Sequence, residues 1–136
     1  MFRLALILFF FVSTSAVYGA GVEGSYTCQG KNPNGSNYKG HVEIKKAGDA
    51  YVITWNISGQ KHSGIGLLLD NVFSTTWSYA KDPRQSGITT YKLQPNGQLK
   101  GKWISVRGNR VNPETLTPAR AKPKAESPLK DIRIFK

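Results

Sequence analysis

Two histidines, one cysteine and a thin scatter of carboxylates are the groups from which this chain of 136 residues could build catalysis or a metal site. The histidines, His41 and His62, both fall in the outward phase of alternating segments, so they read as surface residues. A structural zinc site needs four ligands, and Cys28 with two distant histidines does not supply them. Ser63 follows His62 directly. Neighbouring residues of a strand point to opposite faces, so this pair cannot act as nucleophile and base. No G-x-S-x-G elbow is present. Glu43, Asp49, Asp70, Asp82 and Glu114 are spread along the chain, and Asp49, Asp70 and Asp82 sit at turns, where aspartate bonds its own backbone. The chain is therefore not expected to be an enzyme, and neither a cofactor nor a metal is implied. Cys28 shares its phase with Gly24 and Tyr26 and is expected to be buried as a small hydrophobe.

A second group of residues points to binding. Tyr51, Trp55, Trp77 and Trp103 share the inward phase of their segments. In a small barrel they either fill the core or line a pocket for a small apolar or cyclic ligand. The charge points the same way: 19 Lys and Arg stand against 8 Asp and Glu, a formal net charge of +11. Such a chain is drawn to polyanions. Lys39, Lys45, Lys46, Lys61 and Lys92 lie on outward faces or strand ends, where charge also protects sheet edges. Arg107, Arg110, Arg120, Lys122, Lys124 and Lys130, followed by Arg133 and Lys136, make a basic C-terminal end that could track a polyanion.

The elements that must position these residues are strands. Period-two alternation runs from Gly24 to Trp103, punctuated by turns about every ten residues. The expected strands are Gly24 to Cys28, Tyr38 to Lys45, Tyr51 to Ile57, Lys61 to Leu67, Val72 to Tyr79, Ile88 to Leu93 and Gln98 to Ile104, with Glu114 to Leu116 as a short last one. Asn32-Pro33-Asn34-Gly35, Gly48-Asp49, Ser58-Gly59, Leu69-Asp70-Asn71 and Pro95-Asn96-Gly97 carry turn chemistry, and Lys81 to Gln85 reads as a polar loop. Gly64 and Gly66 mark a bend or bulge. Short connections favour pairing in sequence order. The expectation is an all-β antiparallel meander of about eight strands, curled into a small closed or nearly closed barrel.

The N-terminus carries an address. Arg3, the apolar run Leu4 to Val12 and small residues ending at Val17 and Gly19 form a secretory signal peptide. The run is too short to span a bilayer. The division is residues 1–19 as signal peptide, 20–117 as barrel and 118–136 as a basic Pro/Lys-rich tail or a docked terminal strand built on Ile132, Ile134 and Phe135. A single cysteine excludes an internal disulfide and favours a bacterial envelope protein over a small secreted eukaryotic domain. The sequons at Asn34 and Asn56 argue the other way.

The segments Gly24-Ser25-Tyr26, Asn32-Pro33-Asn34-Gly35-Ser36, Tyr38-Lys39-Gly40, Tyr51-Val52-Ile53-Thr54-Trp55, Gly64-Ile65-Gly66-Leu67 and Asn96-Gly97-Gln98-Leu99-Lys100-Gly101-Lys102-Trp103, with Glu114-Thr115-Leu116, occur in an order that resembles a family of small exported bacterial β-meander proteins of unknown function. Some of its members are labelled fibronectin-binding proteins. The resemblance spans about residues 24 to 116 and implies the barrel and the export, with no catalytic residues. In architecture the glycine-then-aromatic strand starts are similar to lipocalin and avidin barrels. Two functions follow as expectations. One is an exported, monomeric binding protein of the periplasm or extracellular space, adhesin-like, whose partner is an anionic glycan, a matrix protein or an envelope component rather than intracellular nucleic acid. The other is a lipocalin-like carrier of a small ligand. A cavity in the barrel favours the carrier; a filled barrel with a basic outer patch favours the surface binder.

Overall fold

A computed structural model describes residues 21–119. Eight strands follow one another: β1 Gly24–Lys31, β2 Asn37–Ala47, β3 Ala50–Ile57, β4 Gln60–Leu69, β5 Val72–Tyr79, β6 Asp82–Leu93, β7 Leu99–Ser105 and β8 Asn112–Pro118. Each pairs antiparallel with the next, and β8 returns to β1 with Cys28 opposite Leu116, closing the barrel. The all-β meander expected from the alternation is the observed fold. Its hairpins are built as the turn residues dictate. Ser58 and Gly59 both hold positive φ, at 51° and 74°, the backbone that joins twisted antiparallel strands through two residues.

One element differs. Lys81 to Gln85 is not a loop: only Ala80 and Lys81 turn the chain, and β6 starts at Asp82. The polar run hid a strand because its residues are mostly exposed, extending past the core. Arg84 is tied to Asp82 at 2.8 Å on this stretch, and a register shift at Ser78/Tyr79 accommodates it. The predicted signal peptide and the basic tail with its terminal strand lie outside the described residues.

Inward positions set the barrel's two halves. At the end of the β2–β3, β4–β5 and β6–β7 turns, Ile44, Tyr51, Ile53, Phe73, Tyr91, Leu99 and Leu116 form a buried core. Val22, fully buried, joins that core from the segment before β1. Its carbonyl accepts a 2.7 Å hydrogen bond from the Tyr26 hydroxyl. Packing of this kind follows from the period-two pattern: one phase of every strand is removed from water.

The barrel bends at inward glycines. A Cβ on Gly64 would overlap the Thr76 carbonyl oxygen, and one on Gly87 would overlap the Ile104 carbonyl oxygen. Neighbouring strands approach too closely there for any side chain, which is how a small barrel turns its corners. The same atom on Gly87 would stand 2.7 Å from Nε1 of Trp77, so this glycine also makes room for that indole.

Candidate functional site

The opposite end of the barrel, where the β1–β2, β3–β4 and β5–β6 turns and the β7–β8 connection gather, is not filled. A cavity of about 250 Å³ lies there. Tyr38 of β2, Trp55 and Ile57 of β3, Gln60 and His62 of β4, Trp77 of β5, Gln85 and Thr89 of β6 and Trp103 of β7 line it, with Asn32 from the first turn. Period two brings these residues together. Trp55 and Ile57 are the last two inward positions of β3, and His62 opposes Trp55 across the β3–β4 pair.

The walls are aromatic. Trp77 and Trp103 meet edge to face, 5.7 Å between centroids at 85°. His62 stacks on Tyr79 at 5.1 Å and stands edge-on to Trp77 at 5.9 Å. Nε1 of Trp77, Nε1 of Trp103 and Nδ1 of His62 are buried without a hydrogen-bond partner. Burial lowers the pKa of His62, partly offset by the Gln60 backbone and by Glu114, so the ring is neutral at physiological pH.

Beneath the cavity lies a buried carboxylate. Glu114 of β8 is 5% exposed and accepts hydrogen bonds from the Tyr38 hydroxyl at 2.6 Å, from Trp55 Nε1 at 3.0 Å and from the Tyr91 hydroxyl. The Cys28 thiol shares this surrounding: burial first, then Glu114, push its pKa up. The same two causes in the same order raise Tyr91 and Tyr38, with the Trp103 indole opposing at Tyr38. The Trp103 N–H nonetheless makes no hydrogen bond of ordinary geometry. Among the described residues no cation pairs with Glu114. Neutral donors hold this carboxylate, and it orients the floor of the cavity by fixing two of its aromatic walls, Tyr38 and Trp55.

Of the aromatic residues singled out in the sequence, Trp55, Trp77 and Trp103 meet around the cavity. Tyr51 does not; it packs edge-on to Phe73, 5.6 Å away, in the filled half. His62 faces inward and not outward as expected, because the two-residue Ser58-Gly59 turn sets it opposite the inward Trp55, so the inward phase of β4 runs His62, Gly64, Gly66, Leu68 while the apolar Ile65 and Leu67 point out. The two glycines erased the apolar alternation that would have revealed it. His41 is exposed, as are Lys39, Lys45, Lys46, Lys61 and Lys92. Arg107 and Arg110 lie exposed on the β7–β8 connection, with the Arg110 guanidinium donating to the Pro33 carbonyl at 2.9 Å. Arg120, Lys122, Lys124, Lys130, Arg133 and Lys136 lie outside the described residues. Cys28 is buried and free.

No protein-family model matches the chain, and no curated protein matches it. A solved structure described as the de novo design of a fluorescence-activating beta barrel is similar over 71% of this chain and 93% of that one, with a TM-score of 0.57 and 12% identity. At that identity the likeness is one of fold. It matches the closed β-barrel seen here.

Proposed function

We propose that this protein is a non-enzymatic small-ligand carrier that holds its ligand in the open end of the barrel, and that it is exported behind the leader at residues 1–19. The observation that carries this reading is the division of the interior: one half packed with aliphatic and aromatic side chains, the other an aromatic-lined cavity of about 250 Å³. Cores close-pack wherever side chains allow, so a cavity walled by three tryptophans is a site rather than a packing fault. Its volume lies just under the roughly 300–1,000 Å³ of drug-sized pockets, which suits a ligand of two or three rings. The designed barrel that shares this fold is described as fluorescence-activating, a role compatible with an aromatic-lined interior. Native mass spectrometry of protein purified from its own source tests the reading. A discrete added mass that disappears on denaturation is expected. A ligand-free spectrum, with no quenching of tryptophan fluorescence across a panel of small ring compounds, would overturn it.

A second reading, a polyanion-binding outer face, rests on a different observation. Lys92 stands directly opposite Lys100 across the β6–β7 pair, and Lys102 follows on the same face. Like charges in register are destabilising, so a pair held this way favours an anionic partner that offsets the repulsion. Salt-dependent retention on heparin that falls when Lys92 and Lys100 are both replaced by Gln supports it; equal retention of both forms removes it.

A further inference from the structure

We infer that the cavity, taken as the ligand site proposed above, takes an organic cation: a quaternary ammonium group borne on a ring-sized body, seated on aromatic walls above the charge of Glu114. The inference starts from a charge without a partner. Glu114 is 5% exposed, and three neutral donors point at it from Tyr38, Trp55 and Tyr91. Among the described residues no Lys or Arg pairs with it. Hydrogen bonds soften the cost of burying a carboxylate, but only an opposite charge cancels it. Its field reaches the cavity: burial lowers the pKa of His62, and after the Gln60 backbone it is Glu114 that pushes it back up. The chain carries 19 Lys and Arg, yet none of them lines the cavity. A cation entering there meets no like charge on the walls and an unneutralised carboxylate behind them.

The walls suit a cation of one kind. Trp77 and Trp103 close on each other edge to face and so make one wall, not a slot. Tyr38 and Trp55 also line the cavity, and both donate to Glu114. A cation against a tryptophan or tyrosine ring is attracted by the ring's quadrupole, more strongly out of water than in it. A hydrogen bond to a carboxylate polarises its donor, so the rings of Tyr38 and Trp55 gain electron density that a cation can use. A bare metal ion does not fit: among the described residues no group of three His, Cys, Asp or Glu could hold one, and hard ions want shells of oxygen ligands. A quaternary ammonium has no N–H to satisfy, so aromatic walls suffice for it.

Benzyltrimethylammonium and neopentylbenzene test the inference. They share shape and the bulk of about two fused rings, and differ in that carbon replaces the charged nitrogen. Equilibrium dialysis gives both affinities for the wild-type protein and for Glu114→Gln, each form checked for a cooperative urea transition. In wild type the cation should bind at least about tenfold tighter than its neutral twin. It must do so against the +11 of the whole chain, which repels cations, so the preference reports the site and not the surface. Glu114→Gln should cost the cation at least about fivefold and the neutral twin less than about twofold. Sedimentation of the protein with phosphatidylcholine vesicles, reversed by free benzyltrimethylammonium, would mark the natural cation as lipid-borne; no sedimentation marks it as a free solute. Equal wild-type affinities for the two probes would overturn the cation requirement and leave the cavity a ligand site. A response to Glu114→Gln that is the same for both would overturn the part given to the carboxylate. If neither probe binds, the inference fails, and the carrier reading fails with it only if the native protein also shows no added mass.

Discussion

Replacing Glu114 should separate the cost of losing a charge from the cost of orphaning its donors. The carboxylate accepts from Tyr38, Trp55 and Tyr91. In Glu114→Leu the side chain keeps similar bulk but none of the three donors keeps its acceptor. Tyr38 lines the cavity and can turn to water. Trp55 and Tyr91, 3% and 0% exposed, cannot. Each buried donor left unpaired costs about 1–3 kcal/mol, so the pair costs about 2–6 kcal/mol. Removing a desolvated carboxylate returns part of this, which places the expected loss nearer about 2–4 kcal/mol. Glu114→Gln retains one acceptor oxygen and should cost about 1–2 kcal/mol. Urea unfolding followed by tryptophan fluorescence measures both, with unchanged slope as the check that the folded state is intact. If Glu114→Leu stays within about 0.5 kcal/mol of wild type, the ordinary range for surface substitutions, the carboxylate is not what satisfies these donors. Equal costs for Leu and Gln would mean that charge, and not acceptor geometry, governs the site.

Alkaline pH should unfold the barrel through the same cluster. Tyr38 and Tyr91 have folded pKa values raised above the ordinary value. Their stabilisation is therefore full below about pH 10 and is lost above it at about 1.4 kcal/mol per pH unit for each tyrosine, with the raised Cys28 thiol adding its own loss from about pH 8.5. Tyr91→Phe should flatten that slope in a urea series taken at rising pH. Trp55→Ala should cost about 3–5 kcal/mol, the range for large buried aromatics, while the exposed His41→Ala stays within about 0.5 kcal/mol; a denaturant titration that gives equal costs would overturn the assignment of faces. Gly64→Ala should be more damaging than a Gly→Ala change at an open position such as a solvent-facing turn, because the added methyl meets the Thr76 carbonyl. A melting temperature equal to wild type would show that the strands can part there.

Strand order and closure were readable because the alternation, the Asn-Gly and Ser-Gly turns and the short links all constrain the same topology. Trp55, Trp77 and Trp103 were readable as inward residues for the same reason. Glu114 was not. A lone carboxylate on a seven-residue strand reads as solvent-facing, since Glu is seldom buried. The signal that could have placed it is its phase: it alternates with Asn112 and Leu116, all three buried. His62 was lost because glycine occupies the next two inward positions of β4, which removes the side chains that report phase. Val22 was missed because a single apolar residue ahead of a strand has no period to belong to.

Closure of β8 on β1 also makes the fold a ring in everything but covalent bonds. Seven of its pairings join consecutive strands, and only the last, Cys28 with Leu116, spans the length of the domain. The local hairpins need little chain entropy to form, whereas the final seam must bring the two ends together. That seam is the step expected to form last, because it joins the first strand of the barrel to the last. The two ends of the barrel itself lie side by side, with the Ala119 N–H donating to the Ser25 carbonyl at 2.8 Å. Joining them and reopening the chain at the Pro95–Gly97 turn would leave every neighbour relation unchanged and turn the old seam into a hairpin. The order of folding would then rotate around the circle while the finished barrel, and the chamber at its open end, stayed the same.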